Sequence, residues 1–254
     1  VYQARTEPSF EQPWPKPARE DCFFYHVMHL PEAGVVGGEW DIAPYFDEYI
    51  GQVPLAGKRV LDIGAASGFV GFEAERRGAE VIAFDLASAA QIGMVPFAGQ
   101  HWHEDRAGWN VGSAGFVRSL HNAWWYAWHE YGSRARCIHG ELGALAASLP
   151  RQEVVIAGAF IEHMSDPVTA LGHLCRLATE TVIIGFTPVA EGAGRFMRPI
   201  TEWTPGTAYA WWVLSEELYR AVFDACGFEV MIVPARAVHR GNVATRSTLV
   251  ARRR

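Results

Sequence analysis

Apolar positions in this chain fall into short continuous runs separated by segments of helical period, the pattern of buried parallel strands alternating with helices. Arg59 to Ile63 reads as a first strand, Gly68 to Arg77 as a helix closed by Gly78, and Glu80 to Phe84 as a second strand. Periodicity then breaks from Leu86 to about Val111, an insert long enough to predict a functional loop. Ser113 to Tyr131 returns to helical spacing and Gly132 stops it. Ala135 to His139 and Val154 to Ala157 follow as the third and fourth strands. Asp166-Pro167 opens a helix running to about Thr179, with Ala170, Leu171, Leu174 and Leu177 on its buried face, and Thr181 to Phe186 is a fifth strand. After a second irregular insert, Thr187 to Trp212, Ser215 caps a helix ending at Cys226, and Phe228 to Val233 and Ser247 to Ala251 close the chain as an antiparallel pair.

This order predicts an α/β, Rossmann-like, doubly wound fold: a mostly parallel seven-stranded sheet with helices on both faces. Residues 1–57 read as an N-terminal extension or cap, with an extended arm at Pro13, Pro15 and Pro17 and a short helix over Asp41 to Tyr49. Residues 58–254 read as one domain carrying inserts at 86–112 and 187–213.

The first strand and turn, Val60-Leu61-Asp62-Ile63-Gly64-Ala65-Ala66-Ser67-Gly68-Phe69, lead through a helix to a second strand ending in Asp85. Gly64 and Gly68 let backbone approach a ligand, and Asp85 sits where a carboxylate can accept two hydrogen bonds from a ribose diol. The turn is not G-x-G-x-x-G, which argues against a dinucleotide whose pyrophosphate rests on a helix N-terminus. A nucleoside-containing cofactor is the expectation.

At 254 residues the chain can bury a full α/β core, and its apolar share of 50% is ordinary for a globular protein. A formal net charge of −6 argues against a large nucleic-acid footprint and for a small-molecule substrate. No apolar run reaches membrane-span length, and the stretch through Pro17 has no signal-peptide core, so a soluble cytoplasmic protein is expected. Cys22, Cys137, Cys175 and Cys226 lack C-x-x-C spacing, which predicts neither a metal site nor a disulfide framework. The 10 tryptophans concentrate around Trp102 to Trp128 and Trp203 to Trp212. Aromatic inserts of this kind line a ligand cavity or a subunit interface, which leaves a homodimer open.

Asp62-x-Gly64-x-Ala66-x-Gly68 with Asp85 resembles motif I and the acidic second-strand loop of class I S-adenosylmethionine-dependent methyltransferases, although Ala66 stands where that family often has glycine. Gly140-Glu141-Leu142 is similar to the family's adenine loop, and Ala159-Phe160-Ile161-Glu162-His163 with Ser165-Asp166-Pro167 to its loop after strand four. The resemblance implies S-adenosyl-L-methionine as cofactor, held by Asp62, Gly64, Ala65, Ala66, Gly68, Phe69, Asp85, Leu86, Glu141, Leu142, Ala159 and Phe160. A narrower likeness rests on Tyr25-His26, Leu30-Pro31, Gly37-Gly38, Trp40-Asp41, Leu55-x-Gly57-Lys58-Arg59-Val60, Phe72 to Ala79 and Trp211-Trp212. It is with the branch containing the bacterial tRNA wobble-uridine carboxymethyl transferases. The acidic charge of this chain speaks against tRNA, and a carboxylated cofactor would need a cation that the sequence does not place.

The implied activity is methyl transfer to a small aromatic or polar metabolite. The alternatives are carboxymethyl transfer to tRNA and a non-catalytic cofactor-binding subunit. Histidine is the natural base for a protonated acceptor, and His163 leads because its loop faces the cleft, ahead of His26, His121 and His129. A hydrogen-bonded structural histidine is the alternative for each. Glu162 either orients His163 or bonds backbone. Candidate acceptor-binding residues are His26, Trp40, Arg195, Tyr209, Trp211 and Trp212, whereas Trp124, Trp128 and His121, at helical spacing, read as core.

Overall fold

The structure, a computed structural model, describes residues 9–95, 105–201 and 210–254. A hairpin of β1 (Met28–Leu30) and β2 (Gly34–Val36) precedes β3 (Trp40–Asp41) and the short helix α1 (Phe46–Tyr49). The alternating core follows as β4 (Arg59–Ile63), α2 (Phe69–Arg76), β5 (Glu80–Asp85), α3 (Arg106–Tyr131), β6 (Arg136–His139), α4 (Leu142–Ser148), β7 (Gln152–Ala157), α5 (Pro167–Leu177) and β8 (Ala178–Thr187). Next come β9 (Val189–Ala190), β10 (Met197–Pro199) and β11 (Trp212–Ser215), which form a small sheet of their own. The chain closes with α6 (Glu216–Ala225), β12 (Phe228–His239) and β13 (Asn242–Arg253).

The main sheet runs β3-β12-β13-β8-β7-β4-β5-β6. Its β6-β5-β4-β7-β8 portion is parallel, and β13 is antiparallel to both β8 and β12. Among the described residues it has eight strands rather than the seven expected. The extra one is β3, a two-residue edge strand paired as Asp41↔Val238 and Trp40↔His239.

Strand alternation splits the interior into two cores. Val60, Val81, Val154, Ile156 and Ile183 pack under α1, α2 and α3 with Phe46, Phe69, Trp124 and Trp125. Leu61, Ile63, Val155, Val182 and Ile184 pack under α4, α5 and α6 with Leu145, Leu171, Leu174 and Phe223. Helix α3 begins at Arg106, well before the expected Ser113. Asp105 caps it by accepting from Gly108 N at 2.9 Å, and the Arg106 guanidinium donates to the Ile92 carbonyl at 2.8 Å. Gly108, Gly112 and Gly115 in its first turns hide the helical pattern from the sequence. Strands β12 and β13 outrun their expected ends because Arg240 and Gly241, at φ 49° and 82°, form a two-residue turn whose positive dihedrals match the strand twist.

The N-terminal segment is built into the sheet's carboxyl edge through Tyr49, whose carbonyl accepts from Thr248 Oγ1 at 3.0 Å. Its ring lies against two glycines. A Cβ on Gly158 would stand 1.7 Å from Tyr49 Oη, and one on Gly185 would stand 2.8 Å from Cε1. Gly158→Ala is therefore expected to destabilise the fold by about 1–3 kcal/mol, the usual cost of overpacking. In urea unfolding the midpoint should fall at unchanged slope, and Tyr49→Phe in the same chain should recover part of the loss.

Candidate functional site

Strands β4 and β7 lie side by side, yet β4 leads to α2 on one face and β7 to α5 on the other. The loops after such a pair diverge and leave a crevice at the carboxyl ends of the strands, where ligands bind in open α/β sheets. Here the crevice opens into a cavity of about 730 Å³, within the roughly 300–1,000 Å³ range of small-molecule sites. Gly64, Ala65 and Ala66 line it from the β4 loop, Asp85 and Leu86 from the end of β5, and Ala159, Phe160, Glu162 and His163 from the β7 loop.

The β4 loop is held in an unusual conformation. Gly64, Ala66 and Gly68 all have positive φ, at 74°, 49° and 91°. The left-handed Ala66 aims its N–H at Asp85 Oδ2, 2.7 Å away, while Leu86 N donates to Oδ1 at 2.7 Å. Asp85 is half-buried, and burial raises its pKa against these two donors. Each oxygen spends one lone pair on backbone and keeps another. Gly64 is a close approach, since a Cβ there would lie 3.0 Å from the Phe160 ring.

Several expected residues support the loop from behind. Asp62 is 2% exposed, below the loop, and its Oδ2 has no hydrogen-bond partner. Burial, with Asp85 nearby, pushes its pKa up to about 7. Gly68 caps α2 where a Cβ would meet Phe72 at 2.3 Å, and Phe69 packs on the rings of His26 and Phe46. Ser67, fully buried, accepts from the backbone N–H groups of Tyr25 and His26 at 3.2 and 3.4 Å. That hydroxyl ties the N-terminal segment to the β4 loop.

Beyond the crevice the cavity becomes a chamber walled by Tyr25, Trp40, Tyr49, Phe186, His239 and Arg246. Trp40 stacks on His239 at 4.2 Å and meets Phe186 edge-on at 5.4 Å. Phe186 faces this side because β8 bulges. Ser247 pairs with Thr187 but Leu249 pairs with Ile184, and Phe186 takes φ 51°, turning its ring onto Tyr49's side of the sheet. Its N–H is satisfied by Thr248 Oγ1 at 3.1 Å. His26 also lines the cavity; its Nδ1 is buried without a partner, and burial lowers its pKa to about 4, leaving the imidazole neutral at physiological pH.

Glu162 is 4% exposed and engaged on several sides. Its Oε2 accepts from Thr187 Oγ1 at 3.3 Å, its Oε1 lies 3.6 Å from an Arg246 nitrogen, and its carbonyl accepts from Trp211 N at 2.6 Å. Trp211 is fully buried, and Trp212 donates from Nε1 to the Ser165 carbonyl at 3.2 Å; neither lines the cavity. Arg195 is exposed, as is Glu141, while Leu142 packs on the second core. Tyr209 lies outside the described residues. Trp124 and Trp125 are core, and His121 stacks on His139 at 3.9 Å while bonding the Leu86 carbonyl through Nε2 at 2.9 Å.

The sequence does not single out Tyr49, Phe186, His239 and Arg246 as site residues, and it offers Tyr25 only within the Tyr25-His26 pair. Tyr49 reads as the end of a short helix, and a bulge and a long hairpin leave no local signal for the other three.

No family model matches the chain, and no curated protein matches it. Among solved structures it is similar to the 1,6-didemethyltoxoflavin-N1-methyltransferase of Burkholderia thailandensis with bound 1,6-didemethyltoxoflavin and S-adenosylhomocysteine. The identity is 15%, the TM-score 0.50, and the match covers 84% of this chain and 77% of that one. Another match is the magnesium protoporphyrin IX methyltransferase of Synechocystis PCC 6803 with bound SAH, at 18% identity and TM-score 0.48, covering 82% and 80%. The likeness to the first is one of fold: a Rossmann-like, mostly parallel sheet wound with helices on both faces.

Asp62 gives a pH test independent of any ligand. Its folded-state pKa of about 7 lies above the ordinary carboxylate value, so its contribution is neutral only below about pH 3, where both states are protonated. The penalty grows as pH rises and is complete above about pH 7, reaching roughly 4 kcal/mol by proton linkage. Asp62→Asn should therefore be more stable than the parent at pH 8, and the difference should shrink steadily as pH falls toward about 3 in urea unfolding.

Proposed function

We propose that this protein is an S-adenosylmethionine-dependent methyltransferase whose acceptor is a small aromatic metabolite. The observation that carries this reading is the cradle at the β4/β7 crevice: a strained Gly64–Ala66 turn whose Ala66 N–H, together with that of Leu86, orients Asp85 at the cavity wall. An Asp85 carboxylate with lone pairs to spare fits a ribose diol, and Gly64 leaves backbone exposed where a side chain would fill the space. Gly64, Ala65, Ala66, Asp85, Leu86, Ala159 and Phe160 would hold the cofactor directly. Asp62, Gly68 and Phe69 would fix the loop that holds it, and Glu141 and Leu142 would take the adenine end. When bound, the cofactor supplies a methyl group on a sulfonium.

The chain's own task is alignment and proton removal. The aromatic chamber next to the crevice fits a planar acceptor by stacking, and its enclosure by the N-terminal segment and the β12–β13 hairpin favours a small molecule over a tRNA loop. His163, on the cavity wall in the loop after β7, is placed to take the acceptor's proton. Glu162 is a positioning residue, since its carboxylate and carbonyl join that loop to Thr187, Arg246 and Trp211. The fold neighbour from B. thailandensis, with bound 1,6-didemethyltoxoflavin and S-adenosylhomocysteine, is consistent with this reading.

Isothermal titration with S-adenosylhomocysteine tests it. The parent protein should bind at a single site, and Asp85→Ala should weaken binding by at least about tenfold, the loss of one or two hydrogen bonds to a charged acceptor. Absence of binding to the folded parent, or unchanged affinity in Asp85→Ala, would refute the assignment.

A further inference from the structure

Among the described residues, Arg246 is a cavity residue with most of its bonding capacity unused. It projects from β13 into the chamber with 32% of its side chain exposed, over the rings of Phe186 and Trp40 at 5.2 and 5.6 Å. A guanidinium carries five N–H donors in a planar fork. Among the described residues none of these five makes a hydrogen bond, and the carboxylate beside it, Glu162 Oε1, stands 3.6 Å away, beyond hydrogen-bond length. A second cation among the described residues of the cavity wall, Arg240, is answered by Glu39 at 2.8 Å. The contrast is chemical: Arg240 is spent at the rim, whereas Arg246 is held by rings with its donors in hand.

A guanidinium packed on aromatic faces and lacking hydrogen bonds is preorganised for a planar anion, which it can grip through two parallel N–H···O contacts. Glu162 does not occupy that role, because Thr187 anchors its other oxygen and the distance is long. Arg246 and Pro188 also line a second, more open groove of about 520 Å³, bounded by Thr187 to Val189 on one side and β12 and β13 on the other. Pairing of β8 with β13 ends at Thr187↔Ser247, so the strands part beside Arg246. An acidic group there would sit at the chamber's mouth, with room for further substituents outside.

We infer that Arg246 reads an acidic group on the methyl acceptor, so that the acceptor is an aromatic acid. This rests on the methyl-transfer reading and narrows its substrate class. The stacking walls take the ring, and the fork takes the carboxylate.

The test uses the full chain saturated with S-adenosylhomocysteine and titrated calorimetrically with a panel of hydroxylated benzoates, cinnamates and indole carboxylates beside their methyl esters. At least one acid should bind about tenfold or more tighter than its ester. Arg246→Gln should erase that difference while changing S-adenosylhomocysteine affinity less than twofold. Glu162→Gln, which keeps the guanidinium and removes its neighbouring charge, should preserve or enlarge the preference for acids. Three results overturn the inference: esters that bind as tightly as acids, failure of every acid to bind, or loss of S-adenosylhomocysteine affinity in Arg246→Gln matching any loss of acid affinity. The last would mean that Arg246 serves the cofactor. Failure of the parent to bind S-adenosylhomocysteine at all is a separate result, against methyl transfer itself.

Discussion

The site depends on one constraint of topology: β4 and β7 are neighbours whose following helices must pack on opposite faces of the sheet. Two chains leaving adjacent strand ends in opposite directions cannot cover the gap between them, so the sheet has an opening at its carboxyl edge whatever its side chains are. The apolar alternation of Val60 and Leu61, or Val154 and Val155, assigns each strand residue to one core or the other and so enforces the divergence. Ligand chemistry is then a matter of which groups the loops carry to that opening. Asp85, oriented by Ala66 and Leu86, is the group whose geometry says most.

The opening alone would be a shallow crevice. Residues from the two ends of the chain deepen it into a chamber. Tyr49 seats its ring against Gly158 and Gly185, and Ser67 grips the backbone of Tyr25 and His26, so the N-terminal segment is locked to both the β4 and β7 loops. From the other end, the β12–β13 hairpin reaches past the sheet edge and is met by β3, which sets Trp40 on His239. The wall therefore draws on segments distant in sequence, each anchored through buried hydrogen bonds such as Thr248 to Tyr49. Such anchoring keeps rings in one orientation without making them core.

This division explains what could be read from the sequence. Strands β4 to β8 and the helices between them announce themselves through period and caps, and Asp62, Gly64 and Asp85 through residue type at a turn. The chamber does not, because its geometry depends on pairings made at long range. Phe186 looks like the end of a buried strand, and only the extra residue in β8 opposite β13 turns it toward Tyr49. Arg246 looks like a polar position near the end of the chain until an Arg240-Gly241 turn, lacking the Asn-Gly signature, extends the hairpin. Trp211 and Trp212 mislead in the opposite sense: their aromatic character suggested a pocket, but their segment is drawn under the β7 loop by the bond from Trp211 N to Glu162.

Backbone strain follows the same boundary. Among the described residues the non-glycine positions with positive φ are Gln52, Ala66, Ala159, Phe186 and Arg240, and all but Gln52 line the cavity. Each costs on the order of 1 kcal/mol or more and persists only where neighbours over-determine it. Ala66 is fixed by Asp85, Ala159 by a bond from its N–H to the Gly185 carbonyl at 2.7 Å, and Phe186 by Thr248. A sequence selected for stability alone would relieve these positions with glycine or regular strand geometry. That strain coincides with an orphaned imidazole nitrogen on His26, a raised carboxyl on Asp62 and an under-bonded guanidinium on Arg246. Strain and unspent polarity are independent costs, and their meeting around one chamber is what a site shaped for a ligand requires.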